Sequence, residues 1–256
     1  MAALPPPGAR TVTRRHLSLY SPAIGAEGGV IAYGRWGRPL LAFPSQEGAA
    51  WQYEERGMID ALAGPIDTGR VKVYAVDSFD SGSWYRDGLS LEERAGLHGR
   101  YEDWILNQVV PFVQADSQSD ELMATGVSFG AYHAANFALR HAHVFPLAIC
   151  QSGVYDVSVV AGGERGDAAY FQNPADYVQH LGGEHLDWLR GRVNLLLIAG
   201  QGQWEDTTGA LESTRRFAGQ LAEKGIRHEL DLWGHDSPHD WPAWRAQIAH
   251  HLPRFV

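Results

Sequence analysis

Between Leu122 and Leu139 the sequence reads LMATGVSFGAYHAANFAL, with Gly126-Val127-Ser128-Phe129-Gly130 at its centre. A serine flanked by two spaced glycines is either a turn that needs small residues or a nucleophile held at the tip of a strand. The flanks favour the nucleophile. An apolar run precedes Ser128, and Ala131, Ala134, Ala135 and Ala138 follow it as the small-residue face of a helix. A sharp strand-to-helix turn exposes the serine hydroxyl, and a side chain at either glycine would crowd that turn. The new helix also aims its first N–H groups at the charge that develops when the hydroxyl attacks a carbonyl.

A serine hydroxyl is a poor nucleophile until a base takes its proton. On a strand–turn–helix scaffold the partners follow in the order serine, acid, histidine, each on a loop at a strand's C-terminal end. That order removes Asp77 and Asp80 as the acid. Among the later histidines, His133, His141 and His143 belong to the helix behind Ser128, and His250 and His251 to a terminal helix. His235 and His239 fall in the loop WGHDSPHDWPAW after the last strand candidate. Two histidines four apart can bind zinc, but that needs a helix, and Gly234 and Pro238 favour a loop. The stretch also lacks the glutamate of His-Glu-x-x-His, so no metal and no cofactor is expected.

These side chains need strands to carry them. The runs 39–43, 71–77, 121–128, 146–152, 194–200 and 228–233 are short and apolar, and helical patterns separate them. Tyr101, Trp104, Ile105, Gln108, Val109 and Phe112 recur near a 3.6-residue period, as do Leu211, Thr214, Ala218 and Leu221. Trp241, Trp244, Ile248 and Leu252 repeat the pattern, and Pro111 is expected to break or kink the first helix. Residues 11–21 and 28–34 read as an antiparallel strand pair. The expected class is α/β, a mostly parallel central sheet with that antiparallel N-terminal pair and helices on both faces. Residues 1–10, with three prolines and a glycine, read as a flexible tail, and 11–256 as a single domain in which 153–190 form a cap-like insert.

Composition narrows the partners. The 256 residues carry 21 Lys+Arg against 30 Asp+Glu, a net charge of −9 that repels a nucleic-acid backbone. No apolar run reaches the roughly 18–20 residues of a membrane span, so no membrane partner is expected. The N-terminus lacks the basic and apolar regions of a secretory signal, and Cys150 is the single cysteine, which together point to the cytoplasm. Oligomeric state is not legible.

His239-Asp240-Trp241-Pro242-Ala243-Trp244 resembles the His-x-Trp-x-x-Trp signature of one esterase branch of the α/β-hydrolase superfamily, that of esterase D, feruloyl esterases and mycolyltransferases. Asn107-Gln-Val-Val-Pro-Phe-Val is similar to the Glu-Leu-x-Pro-x-Ile helix of the same proteins, with Gln108 where glutamate is usual. The resemblance implies the α/β-hydrolase fold and a serine nucleophile at Ser128. It makes His239 the base, since that histidine opens the last helix, and leaves His235 a polar loop residue. It places the acid in Gln201-Gly-Gln-Trp-Glu205-Asp206, where Glu205 is preferred and Asp206 is the alternative. Asp206 can instead cap the following helix. Asp156 is a distant third.

An oxyanion hole needs two N–H donors. Phe129 supplies one by its place after the nucleophile. The loop Phe43-Pro44-Ser45-Gln46-Glu47-Gly48 supplies the second, and because Pro44 has no N–H the choice falls on Gln46 or Ser45, with Gln46 preferred. Trp204, Trp84 and Tyr85 are candidate substrate contacts, as stacking faces or as buried packing. Asp77, Asp80, Asp87, Glu92 and Glu93 would repel anionic substrates if they line the mouth. The expected activity is hydrolysis of small to medium carboxylic esters through an acyl-enzyme. Two alternatives share the fold: an acyltransferase with the same three residues, and a binding protein without catalysis.

Overall fold

A computed structural model describes residues 12–256, so the expected tail over 1–10 lies outside the described residues. Eight strands form one sheet: β1 Arg14–Ser21, β2 Ala26–Tyr33, β3 Arg38–Phe43, β4 Val71–Val76, β5 Met123–Val127, β6 Leu147–Gln151, β7 Asn194–Ala199 and β8 His228–Leu232. Their order is β1-β2-β4-β3-β5-β6-β7-β8. β1 pairs antiparallel with β2, and β2 with β4; every other pairing is parallel. The fold is that of the α/β-hydrolases.

The inner strands β3 to β7 are buried on both faces, their alternate side chains pointing to opposite sides, whereas the edge strands β1 and β8 stay partly exposed. Val30, Ala32, Leu41, Phe43, Tyr74 and Val76 join one core, and their neighbours Ile31, Tyr33, Leu40, Ala42, Val73 and Ala75 join the other. The helix Phe129–Arg140 seats its alanines in the first core, close against the strands. The second core is closed by Met58, Ile59 and Leu62 and by Trp244, Ile248 and Leu252 near the C-terminus. Near-continuous apolar strands are what burial on both faces demands, and they explain why the strands were legible as short apolar runs.

Helical backbone runs from Leu91 through Ser117, opened by a capping box between Ser90 and Glu93. Pro111 does not end it. The irregularity is a π-helical turn, Ile105–Val109, immediately before the proline, where a widened turn tolerates its missing N–H.

Residues 153–190 contain no strand. They form short helical pieces, of which Asp167–Phe171, Pro174–Tyr177 and Gly183–Arg192 are α-helical. Buried polar contacts tie this segment to the helix Phe129–Arg140. The Gln172 carbonyl accepts from Tyr132, its amide oxygen accepts from Asn136, and Tyr177 donates to Asn136. Among the described residues no helix is long and apolar enough to cross a membrane.

Candidate active site

Strand order reverses beside β3, which has β4 on one edge and β5 on the other. At such a switch point the loops leaving adjacent strand ends diverge and open a crevice. Phe43 at the end of β3 lies in register with Gly126 of β5, so the loop 43–50 and the turn at Ser128 emerge side by side. Further along, Val127 pairs with Gln151, Gln151 with Ile198, and Ala199 with Leu232. Four strand ends thus deliver Ser128, Ser152, Glu205 and His239 to one rim.

Ser128 has φ 54° and ψ −122°, a region where a non-glycine residue costs about 1–3 kcal/mol. Its N–H is held by the Gln151 carbonyl at 2.8 Å. The two glycines are required by close approach rather than by their own torsions. A Cβ on Gly126 would sit 2.0 Å from the Gly130 carbonyl oxygen, and one on Gly130 would sit 2.1 Å from that of Pro44. The spaced glycines therefore let strand, helix and the loop after β3 touch.

His239 Nε2 lies 3.0 Å from Ser128 Oγ, and His239 Nδ1 lies 3.3 Å from Glu205 Oε2. Glu205 is fully buried, and its other oxygen accepts from Ser152 Oγ and from the Gly200 N–H at 3.1 Å. The acid loop and the histidine loop are knitted by backbone bonds, Gly202 N–H to Ser237 O at 2.9 Å and His239 N–H to Gln203 O at 2.9 Å. A Cβ on Gly200 would meet Ser237 O at 2.0 Å, which explains the glycine at the strand end. This arrangement can take a proton from the serine hydroxyl, hold it on an imidazole paired with a buried carboxylate, and return it.

The other candidates lie elsewhere. His235 is exposed, with Nδ1 on the Gln201 carbonyl. Asp206 is exposed and, among the described residues, its side chain accepts from the Thr207 N–H alone, at 2.8 Å. It does not cap the next helix, Ala210–Glu223, which is preceded by Gly209 at φ 75°. Asp156 caps the 3-10 turn Val157–Ala161 and accepts from Asn173. Ser152 was not singled out from the sequence, where a lone serine after a strand carries no signal.

The Phe129 N–H opens the helix behind Ser128, where first-turn donors have no partner within the helix. In the loop after β3, the Ser45 N–H donates to Gln52 Oε1, Glu47 to Asp80, Gly48 to Ser45 and Ala50 to Asp77. Among the described residues no acceptor is seen for the N–H of Gln46 or of Ala49, and of the two Gln46 is the exposed one and the nearer to Pro44.

The aromatic and acidic expectations need correction. Trp84 is fully buried against Tyr132 and His98, so it offers no face to a substrate. Tyr85 packs edge-on to Phe129 and is only partly exposed. Trp204 is 49% exposed and Trp51 52%, on loops that flank the rim. Asp80 is buried, Asp77 accepts from the Gly29 and Ala50 N–H groups, and Glu92 and Glu93 cap helix starts. Four of the five acids serve the scaffold rather than a charged mouth. Among the described residues no cluster of three or more His, Cys, Asp or Glu side chains could hold a metal ion.

Residues 52–255 match the model of the Esterase family. A search of curated proteins finds no match. Among solved structures, the chain is similar to a ferulic acid esterase at 15% identity, with a TM-score of 0.75 over 94% of this chain and 97% of that one. MPT51 of Mycobacterium tuberculosis aligns at 15% identity and TM-score 0.72, over 95% and 98% of the two chains. S-formylglutathione hydrolase from Staphylococcus aureus gives 16% identity and TM-score 0.67, over 96% and 97%. At these identities the likeness is one of fold.

Proposed function

Since the chain belongs to the Esterase family and is a carboxylic ester hydrolase, we propose that it is a serine esterase acting on small to medium esters with Ser128 as nucleophile, His239 as general base and acid, and Glu205 as the acid that orients it. The observation that carries this reading is the continuous pairing of Ser128 Oγ, His239 and buried Glu205 at 3.0 and 3.3 Å.

His239 Nε2 takes the hydroxyl proton as Ser128 Oγ bonds to the ester carbonyl carbon, and the carbonyl oxygen becomes an oxyanion. The N–H groups of Phe129 and Gln46 stabilise that oxyanion. On collapse the C–O bond to the alcohol breaks, and His239 gives its proton to the departing alkoxide, which leaves an acyl group on Ser128. Water then repeats the sequence, with His239 taking its proton and returning it to Ser128 as the acid product departs. Glu205 pairs with the imidazolium in each half. Trp204 and Trp51, exposed beside the rim, are the faces on which a substrate ring would rest.

A fluorophosphonate tests the nucleophile without knowledge of the natural ester. It should modify the chain at Ser128, as read by peptide mapping, and fail to modify Ser128→Ala. Modification at another residue would overturn the assignment.

A further inference from the structure

Asp80 is 1% exposed, at the start of a 3-10 turn after β4, and takes no part in the proposed proton path. A carboxylate in such a place requires donors, and it has two. Oδ2 accepts the Glu47 N–H at 3.0 Å, and Oδ1 lies 2.8 Å from His133 Nε2. Glu47 is held at φ 54°, a left-handed region that few non-glycine residues occupy. The residue before it is Gln46. His133 belongs to the helix that Phe129 opens, and the two rings meet edge-on at 5.2 Å. One buried carboxylate thus grips both elements that carry the oxyanion donors.

The surroundings fix this bridge. His133 is wholly enclosed by His98, Tyr101, Tyr132, Phe43 and Phe129. His98 stacks on it at 5.3 Å and, among the described residues, finds no hydrogen-bond partner for either ring nitrogen. Burial holds His98 well below the ordinary imidazole range, so it brings no charge to the pair. The other ionisable groups packed here, Tyr101 and Tyr132, are pushed up by burial and stay neutral.

We propose that Asp80 is a positioning residue for the oxyanion hole, which sets the Gln46 N–H against the Phe129 N–H by bridging Glu47 to His133. This rests on the esterase reading of Ser128. Donors to an oxyanion act only when placed within about 0.5 Å of the productive geometry, so a free loop would forfeit much of their effect.

The test compares Asp80→Ala, Asp80→Asn and His133→Phe in the full chain with p-nitrophenyl acetate and a phenylboronic acid, whose tetrahedral anion mimics the intermediate. Loss of one oxyanion donor lowers kcat by roughly 10²–10³, and a displaced donor should cost Asp80→Ala roughly 10–100-fold. KM should stay near wild type, and the boronic acid should bind more weakly by a factor similar to the kcat loss. Asp80→Asn, whose amide oxygen still accepts from Glu47, should recover most of the rate. Should Asp80→Ala not fold, His133→Phe must show the same kcat-only defect. Wild-type kcat and boronic acid affinity in a folded Asp80→Ala or His133→Phe, with only thermal stability reduced, would overturn the proposal. If the fluorophosphonate fails to modify Ser128 in the wild type, it is the esterase reading that has failed.

Discussion

Trp244 Nε1 donates to Ser152 Oγ at 3.0 Å, while the same indole meets the His239 ring edge-on with centroids 5.0 Å apart. Ser152 in turn donates to Glu205, so one tryptophan braces the histidine directly and the acid through a hydroxyl. A buried carboxylate that loses a donor pays the cost of incomplete pairing. Ser152→Ala should therefore destabilise the fold by about 1.5–3 kcal/mol, the range for hydrogen bonds to charged groups. Urea unfolding checks it, and kcat should fall less than in Glu205→Gln.

Glu205→Gln keeps volume and removes charge from the residue against His239 Nδ1. The loss expected for the orienting acid is about 10⁴ in kcat. Asp206→Asn alters an exposed side chain that accepts from its neighbour's N–H, and its kinetics and melting temperature should match wild type. Steady-state kinetics of the two variants side by side give the answer.

Ser128→Ala and His239→Ala should each lower kcat by about 10³–10⁶, and the double variant by little more, because the residues act as a unit. His235→Ala removes an exposed ring bonded to a loop carbonyl and should leave kcat within threefold, roughly the scatter of an uninvolved surface change. Equal loss at His235 would transfer the role.

Acid should weaken the anchoring of residues 153–190. Burial alone would raise the Glu102 carboxyl, but hydrogen bonds from His141 and Gln172 and the charge of Arg140 outweigh it and bring it from 4.5 to about 2. Because the folded value is depressed, the stabilisation is complete above about pH 4.5 and disappears as pH falls through about 2. The shift corresponds to about 3 kcal/mol at neutral pH. Glu102→Gln should be less stable than wild type near pH 7 and equal to it near pH 2, as followed by urea unfolding across that range.

Much of this architecture was legible because it is local. Strands buried on both faces must be apolar runs, and a glycine pair around Ser128 marks a close approach that only glycine permits. What escaped depends on distant partners. Ser152 meets Glu205 across 53 residues, and Asp80 meets His133 across another 53, so no local pattern announces either bond. Asp206 read as an alternative acid or a cap of the following helix, yet the turn continues to Gly209 before the helix starts. Trp84 lies on a loop, but the loop folds inward over Leu91 and Tyr132, and its aromatic character serves packing.

The central claim is that Ser128 carries the acyl group between substrate and water. Mass spectrometry of enzyme quenched during p-nitrophenyl acetate turnover tests it most directly. The account predicts one acetyl group, mapped to Ser128, accumulating in Glu205→Gln or wild type and absent from Ser128→Ala. An acetyl group on another residue that forms and decays at the rate of turnover, or hydrolysis by Ser128→Ala at the wild-type rate, would contradict it.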